Sequence, residues 1–177
     1  MSIDLGLFIL RVTIGLLFLG HGTQKLFGWF GGPGLGGVRG WLGSLGLRPT
    51  GFWAVMAGLS EAGGGLLLAL GLLSPLGSIG ITAAMLMAIV AVHWPKFWVT
   101  EGGIEYPLVN IAAVTALAFA GPGRWALGYQ LPMPWTWIAG IVVVLIGTGI
   151  ALSTGERQAP AASQDAPGEA REEQRAA

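Results

Sequence analysis

An all-α, polytopic transmembrane helix bundle is the fold class this sequence predicts, and three observations predict it. First, 53% of its 177 residues are hydrophobic and 10% charged, with a mean hydropathy of +0.68, so a water-soluble core would leave much apolar surface exposed. Second, five of the nine acidic residues (Glu156, Asp165, Glu169, Glu172, Glu173) lie in the last 22 positions with Arg157, Arg171 and Arg175, which leaves the rest more apolar still. Third, Trp29, Trp41, Trp53, Trp94, Trp98, Trp125, Trp135 and Trp137 all fall at the ends of apolar segments or between them. Indole rings favour the headgroup level of a bilayer, and a soluble protein would bury several of them mid-element.

The first apolar segment, residues 5–27, is within the roughly 17–25 residues a spanning helix needs. No basic stretch precedes it, and Lys25-Leu26-Phe27 stands where a small-residue cleavage site would be, so it reads as a permanent span rather than a signal peptide. A glycine-rich loop holding Arg39 and Arg48 follows, read as a re-entrant or interfacial element. The second and third spans, 52–73 and 76–94, are joined so tightly through Ser74 and Pro75 that they must be antiparallel neighbours. In the fourth, 104–121, Pro107 fits only a first helical turn, and Gly121-Pro122-Gly123 ends the helix. The fifth, 135–152, contains no charge. Residues 153–177 turn to alanine, proline, glutamine and mixed charge, a composition that buries too little apolar surface to fold. The chain thus divides into a membrane domain, residues 1–152, and a disordered polar tail.

Zero formal net charge with no basic cluster excludes a nucleic-acid partner. The absence of cysteine excludes disulfides, thiolate-held iron–sulfur clusters and thiol catalysis. Lys25, Arg39, Arg48 and Lys96 gather toward the face bearing loop one, against Arg11 and Arg124 toward the other. The positive-inside rule places loop one and the tail in the cytoplasm and the N-terminus outside.

Ionisable groups inside a span cost several kcal/mol at the centre and are functional suspects by default. Here they are Arg11 and His21 in the first span, Glu61 in the second and His93 ending the third, with Lys25 and Glu105 at boundaries. At about 100° per residue, Arg11, Gly15, Phe18, Gly22 and Lys25 share a stripe about 80° wide with His21 at its edge. Gly58, Glu61 and Gly65 share a face of the second span, which buries Glu61 between helices. Counted from the loop-one side at 1.5 Å per residue, His21 lies about 9 Å deep, Glu61 about 13 Å and Arg11 about 24 Å. His21, Glu61, His93 and Glu105 are therefore candidates to line one cavity open to that side, with Arg11 reaching toward Glu61. The plainer alternative is an Arg11–Glu61 ion pair that holds the bundle together while the histidines are merely hydrogen-bonded.

Two histidines and two carboxylates also suit divalent metals, but no two stand three or four residues apart on one helix, and we assign no metal ligand. Haem ligation by the histidine pair ranks lower still. A faint echo links His21, Lys25, Phe27, Trp29 and Gly31-Gly32 with His93, Lys96, Phe97, Trp98 and Gly102-Gly103. Interfacial loops favour lysine and aromatics in any case.

The run Arg11, Gly15, Phe18, His21-Gly22, Gln24-Lys25-Leu26, then Glu61 with Gly64-Gly65, Leu68 and Gly71, then His93, then Glu105-Tyr106-Pro107-Leu108 and Gly121-Pro122-Gly123-Arg124 resembles the DoxX family of small membrane proteins, from about Leu10 to Arg124. Where family members commonly continue with serine–leucine–aspartate, this chain has Ala126-Leu127-Gly128. The resemblance implies a four-helix core to which the fifth span is an addition, and a place in the bacterial plasma membrane. Some members are similar to a subunit of thiosulfate:quinone oxidoreductase, others are associated with oxidative stress or sulfur metabolism.

Two functional readings follow. In one, Glu61, His21, His93 and Glu105 handle protons for a small redox molecule, a quinone, beside a redox partner protein, with Arg11, Gln24, Lys25 and Tyr106 binding or structural; buried carboxylate–histidine groups titrate readily near neutrality. In the other, the same residues serve a non-enzymatic solute or ion transporter or a membrane assembly subunit.

Overall fold

A computed structural model of the chain describes residues 2–155, so residues 156–177 of the expected tail lie outside the described residues. Six α-helices follow in order: α1 Ser2–Phe27, α2 Gly34–Ser44, α3 Thr50–Leu70, α4 Leu76–Ala88, α5 Glu105–Ala120 and α6 Trp135–Ser153. Among the described residues there is no β-strand, and the fold is an all-α membrane bundle. α1, α3, α6 and α4 with its continuation to His93 are each long and apolar enough to cross a bilayer. α5, at 16 residues, covers about 24 Å of the roughly 30 Å hydrocarbon.

Each helix end is set locally. α3 stops at Gly71, whose φ of 68° is left-handed, and the Leu72 amide returns to the Leu67 carbonyl at 2.9 Å. This closure satisfies carbonyls the helix would otherwise leave bare. α4 loosens into a π-helical turn over Ile89–His93 before Trp94 takes up an extended backbone. The loop-one segment, expected as a re-entrant or interfacial element, folds as α2, with Val38 and Leu42 buried and Arg39 and Trp41 exposed.

α3 is the central helix, and glycine is what lets two neighbours approach it. On one side a Cβ at Gly15 would strike the backbone of Gly65 and Ala69, and one at Gly22 would strike Ala62. On the other, Gly64 faces the Gly77 carbonyl and the Ile81 amide of α4. Without a hydrophobic drive between helices in lipid, such backbone proximity and its dispersion contacts hold the bundle. Ile14, Phe18, Ile81, Met85, Val114 and Leu117 then close one core among α1, α4 and α5. Leu16, Leu17, Val143 and Ile146 point outward, the face expected of a surface bathed in lipid.

α6 is more than an appendage. It runs parallel to α4, with Gly140 against Ile79, and its far end delivers Ala151 into a second core with Val38, Leu42, Leu47 and Ala54. The Thr154 hydroxyl donates to the Arg48 carbonyl at 2.8 Å, tying the end of α6 to loop one.

Candidate functional site

The α1–α3 seam that the glycines create carries the buried charges. One turn beyond Gly22, toward loop one, Lys25 turns its ammonium onto Glu61, Nζ to Oε1 at 2.5 Å. Glu61 is buried on the glycine face of α3, its side chain 4% exposed, while that of Lys25 is 28% exposed. The second carboxylate oxygen, Oε2, is buried and has no hydrogen-bond partner. A buried carboxylate without its counter-charge would be strongly destabilising, so the ammonium is required where it is. The aliphatic stem of Lys25 lies along the seam while its head reaches inward from near the end of α1.

Gln24 and His21 extend this group to the bundle surface. The Gln24 side-chain carbonyl lies 3.3 Å from His21 Nδ1, and the imidazole packs edge-on toward Phe18 with 6.4 Å between centroids. His21 is exposed, although about 9 Å inside the end of α1 by the helical rise.

His93 and Glu105 form a different group. His93 Nδ1 lies 2.6 Å from the Gly102 carbonyl, and Glu105 Oε2 accepts from the Val99 amide at 2.9 Å. Together they fold the segment between α4 and α5, which the Ile104 amide also closes by donating to the Lys96 carbonyl at 3.0 Å. Tyr106 is exposed, and its backbone carbonyl accepts from the Asn110 side-chain Nδ2 at 2.9 Å. Among the described residues, no hydrogen bond or ion pair joins His93 or Glu105 to Glu61.

Arg11 stands at the opposite end of the seam and pairs with carbonyls instead of Glu61. Nη1 donates to Ala69 O at 2.5 Å, in the last turn of α3, and Nη2 to Trp125 O at 2.7 Å. A cation there complements the negative end of the helix dipole. Its guanidinium carbon is 5.2 Å from the centroid of Phe8, which packs edge-on against Trp125 at 5.2 Å. The Arg124 amide donates to Asp4 at 3.1 Å, and the Leu127 amide caps Leu70 O at 3.1 Å. Arg11 thus anchors the loop that follows α5.

Reading the residues alone missed Lys25 as the partner of Glu61, because placement at a boundary hides how far a lysine stem reaches. It also missed Ser78 and Thr82, buried in α4 with hydroxyls that have no partner; single hydroxyls in an apolar span send no signal. Among the described residues, no three histidine or acidic side chains gather as a metal site would require.

The family model described as DoxX matches residues 6–94. Arg11, His21, Gln24, Lys25, Glu61 and His93 fall within the match, whereas Glu105, Tyr106 and α6 lie beyond it. No curated protein and no solved structure matches the chain.

Proposed function

The chain belongs to the DoxX family, and from that premise we propose that it is the membrane subunit of a quinone-linked oxidoreductase whose proton-handling group is Lys25–Glu61. The observation that carries this reading is the half-satisfied carboxylate: one oxygen of Glu61 holds Lys25, and the other is buried without a partner. Such a carboxylate has capacity to take a proton, and a lysine at its side has one to give. Reducing a quinone to a quinol consumes two electrons and two protons at its two carbonyl oxygens. The electrons come from a redox partner protein and the protons pass through this pair, replenished from the loop-one side.

Exposed His21, with half-buried Gln24 beside it, supports the same reading. A lipid-soluble ring arrives laterally through the bilayer rather than from water, and His21 is the exposed polar side chain of α1 nearest Lys25, with half-buried Gln24 in contact with it. The imidazole and the Gln24 amide offer donors to quinone carbonyls. His93, Glu105 and Tyr106 then act through the shape of the 94–104 turn, on the same side of the membrane. That side is cytoplasmic in this reading, since Lys25, Arg39, Arg48 and Lys96 gather there, in a bacterial plasma membrane.

A transport or assembly subunit without electron transfer is the second reading, favoured by one observation: crevices line the Arg11 end and the 120–130 loop, away from Glu61. The test is quinone reduction by the purified protein in lipid, with thiosulfate and other sulfur donors and with membrane extract supplying a partner, alongside visible spectra. Donor-dependent quinol formation that falls at least tenfold in Glu61→Gln supports the redox reading. Silence in every assay, with solute uptake into proteoliposomes, replaces it with the second.

A further inference from the structure

At the end of the bundle far from Glu61, Arg11 is 2% exposed and Ser78 1% exposed. Both line one narrow crevice, together with Gly71, Pro75, Leu117 and Pro122. Two of the three guanidinium nitrogens are committed to the Ala69 and Trp125 carbonyls, but Nε has no partner, and neither has the Ser78 hydroxyl. Buried polar groups are overwhelmingly paired, so two orphans lining one crevice require an explanation. An ion or a water held between the two groups is the ordinary one.

Charge decides between them. Among the described residues the one ion pair is Lys25–Glu61, so Arg11 has no carboxylate partner. Two carbonyls and the α3 terminus, worth about half an elementary charge, leave its positive charge only partly balanced although the residue is buried. A buried guanidinium in that condition is stabilised by a counter-ion. Size then selects the ion. The crevice leaves about 10 Å³ of space, room for about one small particle, so any ion there is monatomic and sulfate or phosphate is excluded. Apart from Ser74 the remaining walls are apolar or glycine, which favours a weakly hydrated monovalent ion over a strongly hydrated one.

We propose that Arg11 and Ser78 form a binding site for a single halide ion, chloride under ordinary conditions, which completes the charge balance of Arg11. The guanidinium Nε–H and the Ser78 hydroxyl are its donors. The site is structural in the first instance, since its ion stabilises the junction of α1, the end of α3 and the loop after α5.

The full-length protein in lipid nanodiscs is melted in sodium chloride, bromide and gluconate at equal ionic strength, and crystals of it are grown in bromide. The proposal expects a saturable rise in melting temperature with chloride and bromide but not gluconate, and an anomalous bromide peak within hydrogen-bond distance of Arg11 Nε and Ser78 Oγ. Ser78→Ala, which removes one charge-assisted hydrogen bond without disturbing the α3 cap, should weaken the halide dependence about tenfold. Arg11→Gln should abolish it. Melting indifferent to the anion, an equal halide effect in Ser78→Ala, or solvent density at the site without anomalous signal would overturn it, the last meaning that the crevice holds only water.

Discussion

Lys25 Nζ stands 2.5 Å from Glu61 Oε1, an ion pair bridging α1 and α3 where glycine brings their backbones together. The pair neutralises both charges inside an apolar bundle and leaves Glu61 Oε2 free. Removing one partner should therefore hurt more than removing both. Lys25→Met and Glu61→Leu are each expected to destabilise by about 2–4 kcal/mol, below the full buried-pair range because Lys25 is 28% exposed. The double variant should recover at least half of that loss, and a double-mutant cycle of unfolding in mild detergent measures it.

Glycine at the seam and glycine facing outward should respond oppositely to the same substitution. Gly22→Ala sets a Cβ against the Ala62 backbone, an overpacking expected to cost about 1–3 kcal/mol or more. At Gly20 and Gly63 nothing lies within 4 Å of an added Cβ, so alanine there should be neutral or stabilise by up to about 1 kcal/mol. Comparing the four unfolding curves, wild type included, checks the packing directly.

Much of the bundle was legible because a bilayer demands long uninterrupted apolar runs and draws tryptophan to their ends. α2 was less so. Gly34, Gly36, Gly37, Gly40 and Gly43 give it weak intrinsic helicity, and it is held by burying Val38 and Leu42 against α3 and α6, contacts no local pattern announces. Glu61 was legible as a buried suspect, since its flanking glycines predict close helix approach. Its partner was not, because cross-helix pairing depends on register: the register that seats Gly22 on Ala62 brings Lys25 within a turn of Glu61 and leaves Arg11 at the far end.

Arg11→Leu should loosen one end of the molecule selectively. The Ala69 and Trp125 carbonyls lose their donors, at about 1–3 kcal/mol for each group left buried and unpaired. Hydrogen exchange should speed up by at least tenfold around residues 121–131, while α2 and the 94–104 turn keep wild-type protection.

The chain contains no cysteine, so single introduced cysteines report topology cleanly. Ser44→Cys and Thr100→Cys should react with a membrane-impermeant maleimide from one side only, and Gln130→Cys from the other. Labelling of the first two in inverted vesicles but not in intact cells is the outcome expected if loop one is cytoplasmic.

Photolabelling by an azidoquinone in lipid, mapped by peptide mass, tests the central claim most directly. The label should attach to the α1 peptide spanning His21 to Lys25, be displaced by unmodified quinone, and fall at least fivefold in a folded Glu61→Gln variant. Label spread over the helices without competition, or unchanged in Glu61→Gln, would contradict a quinone site at the Lys25–Glu61 pair.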